Sequence, residues 1–151
     1  MLKIMSTILV LFCIAAGAAA ATEECLRPAE AEAEQAIRFQ TELMVVSETC
    51  HEQIYPRFVH RNRKALVDYQ KRMIERYRRT GAARPKASLD TYMTHLANEV
   101  ALRVGGEPVE ALCQEKADFL ATADTLDAKK FRRYIAEQAA ERDAEHPRCE
   151  D

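Results

Sequence analysis

The sequence predicts an all-α fold, a small antiparallel bundle of four to five helices stabilised by two disulfide bonds. Apolar residues recur at intervals of three and four over most of the chain, which is typical of amphipathic helices. No segment shows the sustained alternation of apolar and polar residues that indicates a half-buried strand. Glycine and proline are sparse and fall near the ends of the periodic segments, so short loops should connect antiparallel neighbours.

Residues 1–21 have the features of a cleaved secretion signal. Lys3 precedes an apolar run over residues 4–16, and small residues follow it as far as Ala21. The run is shorter than the roughly 20 apolar residues that a membrane-spanning helix requires. Residues 22–151 should then form a single helical domain without a transmembrane span. We expect the mature protein to be periplasmic or secreted.

The first two helices follow from the two longest apolar stripes. Pro28 suits the first turn of a helix, where a missing N–H costs nothing. A helix over residues 29–50 places Ala36, Phe39, Leu43, Val46 and Cys50 on one face, which Ile37 and Met44 widen. A second helix, from Tyr55–Pro56 to just before Gly81, carries a stripe of Tyr55, Phe58, Val59, Asn62, Leu66, Tyr69, Met73 and Tyr77.

Shorter periodic segments predict the remaining helices. Ser88 is a favourable N-cap for a third helix, which should end at Gly105–Gly106. A fourth helix should open at Pro108, and a fifth near Asp127. The pattern leaves open whether residues 108–145 form one helix or two.

Four cysteines remain after residue 21, and their spacing limits how they can pair. A helix over residues 29–50 is about 33 Å long, whereas a disulfide requires Cα atoms within about 7 Å. Cys25 therefore cannot reach Cys50. In an up-down-up-down bundle, Cys50 and Cys113 lie at the same pole. The sequence predicts the disulfides Cys50–Cys113 and Cys25–Cys149 and an oxidising compartment.

Charge is strongly segregated along the chain. Residues 57–86 contain eleven basic and two acidic residues, whereas the whole chain has a net charge of −2. Seven of these cations lie opposite the apolar stripe of the second helix and form what we call the basic ridge: Arg57, Arg61, Lys64, Lys71, Arg72, Arg78 and Arg79. The ridge could bind an acidic protein, an anionic lipid or another envelope polymer, or it could be an ordinary solvated face. Nucleic acid is the least favoured partner, because the aromatic residues of this helix belong to its apolar stripe.

Three polar residues interrupt the apolar stripes. Gln40 and Ser47 fall near the centre of the first helix's apolar face, and Asn62 falls within the second stripe. Buried polar groups need hydrogen-bond partners, so these residues could form an internal polar layer. Alternatively, they could line a small-ligand pocket together with Tyr69 and Tyr92.

The sequence contains no specific motif for catalysis or cofactor binding. Glu48 and His51 supply only half of the carboxylate–histidine pattern of di-metal bundles, and there is no Cys-x-x-Cys or glycine-rich phosphate loop. We therefore expect no catalytic residue, no metal site and no cofactor. The sequence favours a non-enzymatic protein that binds an acidic macromolecular partner or an anionic envelope surface through the basic ridge. A bundle that binds a small ligand in a polar-lined pocket is the alternative.

Overall fold

The computed structural model describes residues 25–141 and 148–149, and these ranges confirm the all-α fold. They contain six helices: α1 (Pro28–Thr49), α2 (Ile54–Arg79), α3 (Pro85–Val104), α4 (Val109–Glu115), α5 (Ala117–Thr125) and α6 (Ala128–Glu141). The only β-type pairing in the described ranges is an isolated bridge between Leu26 and Arg148. The predicted secretion signal lies outside the described residues. None of the six helices combines the length and apolar character needed to cross a bilayer.

Helix α1 is the central helix of the bundle, because it packs against α2, α3, α5 and α6. Neighbours on several sides bury polar as well as apolar residues along it. The buried polar residues of α1 are Glu30, Glu34, Gln35, Gln40, Thr41 and Ser47. Such groups need hydrogen-bond partners, so the surroundings of α1 are a favourable place for a ligand site.

An aromatic cluster around Phe39 connects four helices. The ring of Phe39 in α1 lies 5.2–5.7 Å, centroid to centroid, from the rings of Phe58, Phe119, Phe131 and Tyr134. These partners belong to α2, α5 and α6. Tilted and edge-on pairs at such distances stabilise a core beyond the area that they bury. The cluster therefore fixes α5 and α6 against the α1–α2 pair.

Helices α1 and α2 end in the same hydrogen-bonded motif. In α1, the N–H of Glu52 donates to the carbonyl of Ser47 at 2.8 Å, and His51 adopts a left-handed φ of 55°. In α2, the N–H of Ala82 donates to the carbonyl of Tyr77 at 2.9 Å, and Gly81 adopts a φ of 84°. This Schellman arrangement normally has glycine at the left-handed position. His51 takes that position at the α1–α2 turn, so no glycine marks this turn in the sequence.

The later helix boundaries differ from the sequence prediction in two places. The prediction of Ser88 as an N-cap was wrong: α3 begins a turn earlier, with Pro85 at its first position, and the Ser88 hydroxyl donates to the carbonyl of Arg84 at 3.3 Å. Proline is preorganised for a first helical turn, which explains the earlier start. Residues 109–141 form three helices, and the break before α6 occurs at Asp127, whose Oδ1 accepts the N–H of Lys130 at 2.9 Å.

Both predicted disulfides are confirmed. Cys50–Cys113 joins the end of α1 to α4 with a Cα separation of 5.7 Å. Cys25–Cys149 joins the two termini of the described chain with a Cα separation of 4.8 Å. Disulfides persist in oxidising environments, so the pair indicates that the protein works outside a reducing cytosol.

Candidate functional site

The N-terminal residues of the basic ridge bind the end of α5. Arg57 forms an ion pair with the carboxylate of Asp124 at 3.2 Å. Arg61 donates to the backbone carbonyl of Asp124 at 2.7 Å and lies 3.6 Å from its carboxylate. Cations at a helix C-terminus satisfy free carbonyls and interact favourably with the helix dipole. These two arginines therefore contribute to packing between α2 and α5.

Three further ridge arginines also have acidic partners. Arg72 lies 3.6 Å from the carboxylate of Glu32, and Arg78 pairs with Glu75 on its own helix. Arg79 is the most enclosed, with a side chain 19% exposed. It binds the carboxylate of Glu30 at 2.6 Å and the carbonyl of Cys25 at 3.1 Å, so it holds the end of α2 against the start of α1.

The middle of α2 keeps cations without such partners. Lys64 and Lys71 of the ridge are exposed, as are the neighbouring His60, Arg63 and Val67. We call these five residues the central patch. They line one surface depression, and none of the four basic members forms an ion pair with a described residue. The basic ridge predicted from the sequence contains only the two lysines of this patch, although spacings of four, three and four place His60, Lys64, Val67 and Lys71 on one helix face.

Asp68 borders the central patch, but its carboxylate is engaged from another helix. A hydrogen bond from Arg132 of α6, at 2.7 Å, lowers the pKa of Asp68 below its ordinary value of 3.8. The charges of Lys64 and Lys71 contribute less to this shift. Asp68 therefore stays ionised and partly screens the patch, while both lysines remain accessible to solvent.

The five residues of the predicted pocket do not converge on one cavity. Asn62 is fully buried, and its Nδ2 donates to the carbonyls of Phe58 and Leu126, both at 3.0 Å. The ring of Tyr69 packs edge-on against Phe131 of α6. Asn62 and Tyr69 thus hold α2 against the α5–α6 region.

Tyr92, Ser47 and Gln40 lie elsewhere. The Tyr92 hydroxyl donates to the buried carboxylate of Glu34 at 2.9 Å. The Ser47 hydroxyl donates to the carbonyl of Glu52 at 2.6 Å and accepts the N–H of Tyr55 at 3.2 Å, so it stabilises the α1–α2 turn. Of these three, Gln40 alone retains a polar atom, Oε1, that no described residue contacts by a hydrogen bond.

Two grooves adjoin Gln40 and Ser47. The turn groove, about 460 Å³, lies at the α1–α2 turn, where Glu48 and Glu52 contribute to its lining. The α1–α3 groove, about 200 Å³, is lined by Gln40 of α1 and Met93 of α3, among others. Met44 and Tyr55 line both grooves. The apolar pattern predicts Met44 on the core face of the first helix, yet the residue is 37% exposed.

No protein family, characterised protein or solved structure matches this chain. Within residues 25–141 and 148–149, no group of three or more His, Cys, Asp or Glu side chains is positioned to hold a metal ion. The central patch is one surface depression that carries polar groups without a described partner. The turn groove and the α1–α3 groove, together called the paired grooves, form another.

The Glu30–Arg79 contact makes the stability of the bundle depend on pH. Burial by itself raises the pKa of Glu30, but hydrogen bonds from Arg79 and the Arg27 backbone outweigh it and bring the pKa below 4.5. A lowered folded-state pKa gives stability that is present above the unfolded-state pKa and is lost as pH falls through the folded-state pKa. We expect Glu30→Gln to cost about 1–2 kcal/mol at pH 7, from the loss of a charged hydrogen bond.

Urea unfolding of the parent and of Glu30→Gln from pH 7 down to acid measures this difference. The difference in unfolding free energy between parent and variant should be constant at neutral pH and should become smaller once the pH falls below 4.5. Glu75→Gln, which removes an exposed ion pair with Arg78, is the matched control and should unfold like the parent at every pH. A difference that grows on acidification would contradict the assignment.

Proposed function

We propose that this is a non-enzymatic protein of the periplasm or the secreted fraction that binds an acidic macromolecular partner or an anionic envelope surface through α2. The observation that supports the proposal is that some α2 cations have acidic partners within the fold and others have none in the described part of the chain. Five of the seven ridge residues have partners within the fold, whereas the central patch presents cations without ion pairs among the described residues. The proposed contact is therefore the central patch rather than the whole ridge.

An anionic lipid surface fits the central patch better than an acidic protein does. Val67, 40% exposed, lines the same depression as Arg63, Lys64 and Lys71. An apolar side chain among cations suits the boundary between lipid headgroups and acyl chains. A fluid surface also requires no matching shape. Each basic residue close to an anionic bilayer contributes about 1 kcal/mol, so three of them give a reversible attachment.

The triple variant Arg63→Gln, Lys64→Gln, Lys71→Gln tests the proposal. These side chains are exposed and have no ion-pair partner among the described residues, so the fold should be retained. Binding to vesicles that contain phosphatidylglycerol should weaken about a hundredfold, in line with about 1 kcal/mol per cation. The parent should bind phosphatidylcholine vesicles poorly, and its binding to anionic vesicles should fall steeply with added salt. Vesicle co-sedimentation measures all of these.

The matched control is Arg103→Gln, Lys129→Gln, Lys130→Gln, which removes three exposed cations from α3 and α6. It changes the net charge equally and should retain vesicle binding. If the parent ignores anionic vesicles but captures an acidic envelope protein through the same three residues, the partner is a protein instead. If both triple variants behave like the parent in both assays, the central patch is ordinary solvated surface.

A further inference from the structure

The turn groove has an electrostatic character opposite to that of the central patch. Glu48 and Glu52 line it, both are exposed, and neither forms an ion pair with a described residue. The described lining of the two grooves contains no lysine, arginine or histidine. The C-terminal end of α1 and the N-terminal end of α2 both border this groove, so their opposite dipole ends largely offset each other and the two carboxylates set its sign. The turn groove therefore favours a cation and disfavours an anion.

The walls shared by the two grooves are apolar and adaptable. Met44 and Tyr55 line both, and Met93 extends the apolar surface towards α3. Methionine side chains adjust to irregular apolar ligands, and a tyrosine ring attracts a cation to its face. The combined volume falls within the range of small-molecule sites. An apolar ligand body can thus lie along Met44 and Tyr55.

Gln40 supplies a second polar anchor, at the α1–α3 groove. The residue is 8% exposed, and its Nε2 donates to the Tyr55 hydroxyl at 3.4 Å. Its Oε1 accepts no hydrogen bond from a described residue. Exchanging the two amide atoms by rotation would instead leave an N–H without an acceptor. A buried unpaired polar atom is unfavourable, so a hydroxyl or amine that reached the amide would be stabilised there.

The two anchors are separated by a distance that one small molecule can cover. Gln40 and Glu48 are eight positions apart on α1, which corresponds to about 12 Å along the helix axis. With a heteroatom at each end, an extended chain of eight carbons spans about 11 Å, because a zigzag chain advances about 1.25 Å per bond of about 1.5 Å. Such a chain would pass Met44, halfway between the two anchors.

We propose that the paired grooves bind an extended apolar amine with a second hydrogen-bond donor at its opposite end. The ammonium group lies between Glu48 and Glu52, the apolar chain contacts Met44 and Tyr55, and the second donor reaches Gln40. Long-chain amino alcohols belong to this class, whereas fatty acids, which carry a carboxylate, do not. The site is separate from the central patch and does not depend on its function.

Isothermal titration of the oxidised protein with four eight-carbon probes tests this ligand class. Aminooctanol, with its amine and hydroxyl at opposite ends, should bind saturably. Octylamine should bind about threefold to tenfold more weakly, because it lacks one hydrogen bond. Octanol and octanoate lack the positive charge, and octanoate should bind most weakly because it adds a negative one.

Two variants separate the contributions of the anchors. Glu48→Gln, Glu52→Gln should reduce the affinity for both amines by about tenfold and leave that for octanol unchanged. Gln40→Leu should bring aminooctanol to the affinity of octylamine. Glu99→Gln, Glu110→Gln removes two exposed carboxylates elsewhere and is the matched control, which should bind like the parent. The triple variant of the central patch should also retain aminooctanol binding.

Methionine-methyl NMR shows where the probe binds. Aminooctanol should shift the signals of Met44 and Met93, which line the grooves, and should leave that of the fully buried Met73 unchanged. The proposal is overturned if no probe binds saturably or if octanoate binds as tightly as octylamine. It is also overturned if the two glutamates or Gln40 can be replaced without loss of affinity.

Discussion

Replacing Phe39 by alanine should cost about 3–5 kcal/mol of unfolding free energy, the range measured for buried aromatic residues. Phe39 is buried in α1 and contacts rings from α2, α5 and α6. Truncation leaves a cavity at the point where these helices meet. The loss therefore exceeds that of a single buried contact, since four aromatic pairs disappear together.

Urea unfolding of the oxidised protein, followed by circular dichroism, measures this cost. Two leucine variants make a matched pair for comparison. Leu43 is fully buried in α1, so Leu43→Ala should cost about 2–5 kcal/mol of unfolding free energy. Leu102→Ala, where the parent side chain is 82% exposed, should change the unfolding free energy by less than about 0.5 kcal/mol. If Phe39→Ala and Leu102→Ala had similar effects, the aromatic cluster would not be the centre of the core.

The helices that the sequence predicts best are those with the longest uninterrupted apolar stripes. The predicted first two helices agree with α1 and α2 to within two residues at each end. The division between α4 and α5 was not visible, because the break at Lys116 involves neither glycine nor proline. The left-handed His51 was missed for a similar reason, since the residue type gives no indication of the turn.

The disulfide pairing was predictable because it depends on helix length and chain direction alone. Side-chain partners depend instead on which faces meet after folding. Nothing in the local sequence of Arg61 indicates that it binds the carbonyl of Asp124, 63 positions away. Asn62 was expected to be buried, but its partner, the carbonyl of Leu126, belongs to a turn between two later helices.

The candidate sites were likewise predictable only in part. A helical wheel predicts that the ridge cations face solvent, and Lys64 and Lys71 do so without a partner among the described residues. The wheel cannot show that Glu30 and Glu32 of α1 neutralise Arg79 and Arg72. The grooves were beyond sequence reasoning, because they result from how the α1–α2 turn and α3 pack.

Removing the Cys50–Cys113 disulfide should cost about 4 kcal/mol, as the chain-entropy model gives for a loop of this length. The two cysteines are 63 positions apart, so the bond strongly restricts the unfolded chain. The folded state should also change locally, because Leu112 is the one buried residue of α4 and the helix is seven residues long. A helix this short is not stable without tertiary contacts.

The variant Cys50→Ala, Cys113→Ala separates these two effects. Its urea midpoint reports the global loss, and hydrogen exchange at the α4 amides should accelerate more than exchange at the amides of α1 around Phe39. Cys25→Ala, Cys149→Ala is the comparison: its separation of 124 positions predicts a slightly larger global loss, with α4 exchange changed only in proportion to that loss. The account of α4 would be wrong if its amides exchanged alike in the two double variants. The loop argument would be wrong if removing Cys50–Cys113 cost less than about 1 kcal/mol, because the unfolded chain would then gain little freedom from its loss.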